Sequence, residues 1–154
     1  MKRIKLNQFF FLEEYIPQYL YETIEDKEQL IQLLDPRLLK MDVLIRQHFG
    51  VCTINNWAIG GKRQWSGVRT PVSPYYSHGS QHTADFTIQN GKIKIKRQCR
   101  ASDKIISCSK SYDEIRSYII SNQHIFNDIK GIEMGVNWLH TDVRARETLL
   151  KFNK

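Results

Sequence analysis

The sequence predicts a single α+β domain: helices first, then a mainly antiparallel sheet with one helix packed on it. Three observations carry this reading. Asp35-Pro36, followed by apolar residues at helical spacing, opens a helix that Gly50 stops. Asn90-Gly91 stands between two alternating runs, the favoured two-residue hairpin turn. Ser111-Tyr112-Asp113-Glu114 is a capping box that starts a later helix. The chain's 154 residues suffice for one core and leave little for a second. The domain is therefore expected over 1–154, with a helical part at 1–50 and the candidate site within 51–146.

The elements follow in order. Residues 1–35 are expected to be helical, with Pro17 opening a stretch through Ile24, since proline suits a first helical turn. Met41, Leu44, Ile45 and Phe49 set the apolar face of the helix after Asp35. Val51 to Ile54 reads as a strand. The run from Asn55 to Pro74, punctuated by Gly and Pro and carrying Trp57 and Trp65, reads as a long ordered loop, a common seat of function. Thr83 to Gln89 and Lys92 to Arg97 form the hairpin arms. A short strand is expected at Lys104 to Ser107, a helix from Tyr112 to about Gln123, and strands at Ile129 to Met134 and Trp138 to Val143. The tail after Arg146 is expected to extend as a short helix.

Composition is ordinary for a globular protein, 41% hydrophobic and 25% charged. No apolar run approaches the roughly twenty residues of a membrane span, and the basic-then-apolar start lacks a cleavage site and reads as part of the fold. Cys52, Cys99 and Cys108 are odd in number without close pairs, which fits free thiols in a reducing compartment. The net charge of +7 favours an anionic partner: nucleic acid, a membrane surface, or a wall rich in carboxylates and phosphates. Lys92, Lys94 and Lys96 alternate with Ile93 and Ile95, so one strand face is basic. It is either a solvated face that discourages edge pairing or an anion-binding face.

The densest chemistry lies in Tyr76 to Phe86. His78, His82 and Asp85 fall in a short turn and the start of the strand after it, and His140 offers a ligand from elsewhere. Two imidazoles and a carboxylate suit a catalytic zinc, which takes three such ligands and keeps a fourth position for water.

In motif order the chain resembles a known family. Trp65-Ser66-Gly67-Val68-Arg69-Thr70-Pro71, Ser80-Gln81-His82, Ala84-Asp85-Phe86 and Trp138-Leu139-His140-Thr141-Asp142-Val143-Arg144 resemble the zinc-dependent D-alanyl-D-alanine carboxypeptidase and endopeptidase family, which shares its fold with the hedgehog signalling domain. The likeness is to small phage-encoded members, and it extends upstream through Leu34-Asp35-Pro36-Arg37 and Thr53-Ile54-Asn55-Asn56-Trp57. It implies zinc held by His82, Asp85 and His140, with Arg69 and Ser80 on the substrate side. Arg69 would grip a peptide carboxylate.

The family places six residues between its first histidine and its aspartate, whereas two stand between His82 and Asp85. Two registers stay open: His82 keeps the Ser-x-His motif, and His78 keeps the spacing. The positions where many members carry a base are Asn137 and Trp138 here. Glu133 is the nearest upstream acid and the candidate general base. Asp142, two beyond His140, is expected to orient a ligand from behind.

The resemblance implies a zinc peptidase that cuts peptidoglycan stem or cross-link peptides in phage lysis or entry. It would be made in the bacterial host cytoplasm, with other virion proteins as further partners. The alternative is a catalytically degenerate relative serving as a virion structural or wall-binding protein. A nucleic-acid-binding role ranks last. It rests on charge alone, because the aromatics do not interleave with the basic strand.

Overall fold

The computed structural model describes residues 3–153; residues 1, 2 and 154, the outermost of the expected domain, lie outside the described set. The fold is α+β. A five-stranded mixed sheet is ordered β1-β4-β6-β5-β7, and a separate two-stranded antiparallel sheet is formed by β2 and β3. The strands are β1 (Cys52–Thr53), β2 (Asp85–Gln89), β3 (Lys92–Arg97), β4 (Ala101–Ile106), β5 (Gly131–Glu133), β6 (Leu139–Asp142) and β7 (Leu150–Phe152). The α-helices are α1 (Gln18–Thr23), α2 (Glu28–Ile31), α3 (Pro36–Phe49) and α4 (Tyr112–Ser121).

The local signals act as their chemistry dictates. Asp35 caps α3, its carboxylate accepting from the Arg37 amide at 3.0 Å, and Gly50 ends the helix. Ser111 and Glu114 form the reciprocal capping box of α4. Asn90 and Gly91 both take positive φ, 51° and 71°, as the tight β2–β3 turn requires.

Two expectations are corrected. The stretch opened by Pro17 is helical as expected, α1, and α2 follows it, but among the described residues before Pro17 the expected helix is reduced to a single 3-10 turn at Leu12–Glu14. Phe10, Leu12, Tyr15 and Ile16 are all fully buried, and four such side chains so close together need neighbours on every side, which a one-faced surface helix does not provide. Among the described residues the tail forms no helix: it runs as β7, parallel to β5. There it fills an edge that would otherwise leave backbone groups unpaired, as in Met134 N–H to the Phe152 carbonyl at 2.7 Å.

Sheet register decides which side chains share a face. Asp103 faces His140 across β4 and β6, Ala101 faces Asp142, and Gly131 of β5 faces Asp142 from the other side. Directly opposed residues point the same way. One face therefore gathers Asp103, His140, Asp142 and Gly131. The alternate residues, Ser102, Lys104 and Thr141, point to the opposite face, where they meet Asp42 of α3. There the Lys104 ammonium lies 2.8 Å from Asp42 Oδ1, both side chains fully buried. The contact is ionic, since its geometry leaves Oδ1 without a hydrogen-bond donor. Lys104 donates to Ser102 Oγ at 2.6 Å and Thr141 Oγ1 at 2.8 Å, while Tyr15 and Ser102 donate to Asp42 Oδ2. This buried network ties the back of β4 and β6 to α3, directly behind the face that carries the histidines.

Candidate metal centre

Three buried side chains converge on that face: His82, Asp103 and His140, each offering a ligand atom within 4.8 Å of the others. His82 reaches it from the loop before β2. Ser80 Oγ accepts from the His82 amide at 3.2 Å, and the His82 carbonyl accepts from the Arg69 amide at 2.9 Å. Asp103 comes from β4. Its amide donates to the Ser66 carbonyl at 2.7 Å, and its carbonyl accepts from Arg63 at 3.1 Å. The long loop expected from its Gly and Pro content thus holds the aspartate in place.

The outer nitrogen of each histidine is committed as a donor. His82 Nδ1–H donates to the Gly67 carbonyl at 2.9 Å, and His140 Nε2–H donates to Asp142 Oδ2 at 3.3 Å. Neither partner has a proton to give in return, so the inner nitrogens of the neutral rings are lone-pair sites. Those inner atoms, His82 Nε2 and His140 Nδ1, lie 3.2 Å apart. Asp103 Oδ1 stands 3.2 Å from the first and 2.7 Å from the second. Three acceptors facing one point need a cation or a proton between them, and this donor set could hold a metal ion.

The electrostatics agree. Burial pushes His82 below its usual 6.5, and the nearby Asp103 carboxylate offsets only part of that. For His140 burial also works against the charged ring, but its hydrogen bonds to Asp103 and Asp142 outweigh it and hold the ring above 6.5. Burial would raise Asp103, yet the two imidazoles hold its carboxyl well below the ordinary carboxylate range.

The supporting residues are sterically specified. Gly67 passes so close to Tyr15 that an added Cβ would come 2.3 Å from the Tyr15 carbonyl oxygen. Only glycine lets its own carbonyl reach His82 here. At Gly131 an added Cβ would come 2.2 Å from Asp142 Oδ2. Arg144 forks onto Asp142, with Nε 2.6 Å from Oδ1 and Nη2 on Oδ2. Burial alone would raise Asp142, but Arg144 and His140 bring it down to about 2.

The structure therefore sorts the sequence candidates. His82 and His140 come together as expected, and Asp142 backs His140. His78 lies exposed in the loop, where its carbonyl accepts from Arg97. Asp85 is not in the converging group. It opens β2, with Arg97 opposite in the two-stranded sheet, while Asp103 supplies the carboxylate. The cause is the β2–β3 hairpin, which stands between the two ligands and leaves the main sheet. Asp103 follows His82 by 21 residues, so short-range spacing from His82 could not find it. A signal existed all the same: Ala101-Ser102-Asp103 carries a small residue just ahead of an aspartate near the start of a strand, as Ala84-Asp85 does.

Arg69 lines a cleft of about 430 Å3 together with Trp65, Tyr75, Asp103 and Trp138. Its Nη2 donates to Asp103 Oδ2 at 2.7 Å and its Nε to the Trp65 carbonyl at 2.9 Å, while Nη1 takes part in neither bond. Ser80 lines a second recess with His140, Arg144 and Phe152. The Phe152 ring stands edge-on to His140 at 5.5 Å. Glu133 is buried in β5, and the β5–β6 register carried one residue further sets it across from His140. Cys52 and Cys99 are buried with thiols pushed up to about 12, chiefly by burial, and neither belongs to the cluster.

No family model, curated protein or solved structure matches the chain.

Proposed function

We propose that this protein is a zinc-dependent peptidase of the hedgehog/DD-peptidase type, acting on peptidoglycan stem or cross-link peptides as a phage lysis or entry enzyme. The observation that carries the metal reading is the convergence of three acceptors, His82 Nε2, His140 Nδ1 and Asp103 Oδ1, with both outer imidazole nitrogens already committed. The family's small-residue-then-aspartate pattern is met by Ala101-Ser102-Asp103, with the hairpin intervening. The peptidoglycan assignment rests on the resemblance in motif order.

In this reading His82, Asp103 and His140 hold the metal. A bound zinc supplies Lewis-acid polarisation and an activated water. Asp142 and the Gly67 carbonyl keep the two imidazoles in the ligating tautomer. Glu133, set toward His140 by register, takes the proton during hydrolysis. Arg69 neutralises the far side of Asp103 and offers Nη1 to a substrate carboxylate in the cleft. The alternative, a degenerate virion or wall-binding protein, draws on the Arg69–Asp103 pair, which already satisfies part of the cluster's charge.

The experiment is zinc analysis of protein purified without added metal, joined to digestion of purified peptidoglycan. About one zinc per chain is expected, with peptide release that His140→Ala abolishes together with the metal. Glu133→Gln is expected to keep zinc and lose cleavage. Zinc binding with no cleavage by the wild type selects the degenerate reading, and a protein without zinc or cleavage overturns the enzyme.

A further inference from the structure

We propose that the outer face of the β2–β3 hairpin is a docking surface for a linear phosphodiester polymer of the wall, of the poly(polyol phosphate) kind. The choice of a wall polymer rests on the function proposed above; the surface itself does not. Alternation along β3 puts Lys92, Lys94 and Lys96 on one face, all exposed. Neighbouring lysines thereby leave the strand about 6.5–7 Å apart, a spacing that a flexible chain with one phosphate per short repeat can match. The register sets neutral hydrogen-bonding side chains opposite them, Gln89 across from Lys92 and Thr87 across from Lys94. Among the described residues none of the three lysines has an ion-pair partner; Asp85, the only acid of the hairpin strands, stands opposite Arg97 at the far end.

The comb is held stiff. Gln29 of the α2 helix clamps the hairpin tip twice, its Nε2 donating to the Gly91 carbonyl at 3.2 Å and its Oε1 accepting from the Ile93 amide at 2.8 Å. Ile93 is buried, so the lysine face cannot roll inward. The hairpin forms a two-stranded sheet of its own, separate from the five-stranded sheet. Phe86, the one aromatic of the two strands, packs against the core, which leaves no stacking platform for bases on the lysine face. The chemistry therefore selects a polyanion read through its phosphates alone. Because the hairpin links His82 to Asp103 in sequence, such docking would hold the candidate site against the same wall.

The test is co-sedimentation of the full chain with insolubilised poly(glycerol phosphate) over a salt series, with single-stranded DNA as the comparison polymer. Three phosphate contacts give a log–log salt slope near −2, or about a hundredfold loss of affinity per tenfold rise in salt. The triple variant Lys92→Gln/Lys94→Gln/Lys96→Gln is expected to lose tenfold or more in affinity. Lys40→Gln/Lys110→Gln/Lys151→Gln, with the same change in net charge, is expected to lose under about threefold. Equal losses in the two triple variants would reduce the surface to diffuse charge and overturn the proposal. Equal or tighter binding of single-stranded DNA would overturn the choice of polymer. Zinc content measured on the same samples reports separately on the metal centre, so failure of one reading is not mistaken for failure of the other.

Discussion

Replacing Asp103 by asparagine keeps the shape of the side chain, removes its negative charge, and leaves one oxygen where the structure uses two, one on both imidazoles and one on Arg69. In the structure the oxygen on the imidazoles lies 2.7 Å from His140 Nδ1 and 3.2 Å from His82 Nε2. Loss of a group that merely orients a ligand costs roughly tenfold to a hundredfold in metal affinity. A direct ligand that also supplies the negative charge should cost at least the upper end, about 2.7 kcal/mol for a hundredfold. The change also strips the Arg69 guanidinium of the carboxylate it holds at 2.7 Å, and an unpaired cation beside the site opposes a second cation. Both effects have the same sign. Zinc affinity is measured by competition with a chromophoric chelator, with Asp85→Asn alongside. Asp103→Asn should bind at least about a hundredfold more weakly, and Asp85→Asn should stay within about twofold. The reverse order, or no difference between the two, would refute the assignment of the carboxylate to β4.

Three further outcomes are expected. Asp142→Asn should weaken zinc about tenfold to a hundredfold while the fold survives, because it loosens the tautomer and orientation of His140, and the same chelator competition reads it. Lys104→Met should destabilise the protein by about 3–5 kcal/mol in urea unfolding, since it leaves the Asp42 carboxylate buried and uncompensated. The double change Lys104→Met/Asp42→Leu should recover much of the loss. Asp35→Ala should cost about 1 kcal/mol at neutral pH by removing the α3 cap. Burial would raise the Asp35 carboxyl, but the Arg37 side chain and amide, with the charges of Arg37 and Arg100, hold it below 3.8. Its stabilisation is therefore present above 3.8 and fades as pH falls through the lowered folded value. Thermal unfolding should accordingly show the gap between wild type and variant narrowing in acid.

The parts of the fold legible in the sequence were those set by interactions within a few residues. Asp35 before Pro36, the Ser111–Glu114 box and the Asn90-Gly91 turn act on their own backbones, and each produced the expected element. The segment before Pro17 and the tail were misread because their shape depends on distant partners. Phe10, Leu12, Tyr15 and Ile16 are each fully enclosed by the core, and Leu150 to Phe152 becomes a strand only because β5 presents a free edge. The site divides the same way. His82 and His140 were visible through their flanking motifs and Asp142 through its two-residue offset on a strand. Asp103 was hidden by a hairpin that separates it in sequence from the histidine it meets in space.

For the Tyr76–Phe86 stretch, the sequence alone determined that His82 ends a turn and is followed by an alternating strand and a tight hairpin. It also determined that His140 and Asp142 share one side of a strand. Which carboxylate joins the two histidines was a tertiary decision. It depends on the register of β4 against β6, which sets Asp103 opposite His140, and on the separation of the β2–β3 hairpin from that sheet. Hydrogen-bond registry between strands far apart in the chain is not written in any short window of residues. It emerges only when buried partners such as Lys104, Asp42 and Thr141 close behind the sheet and select one alignment.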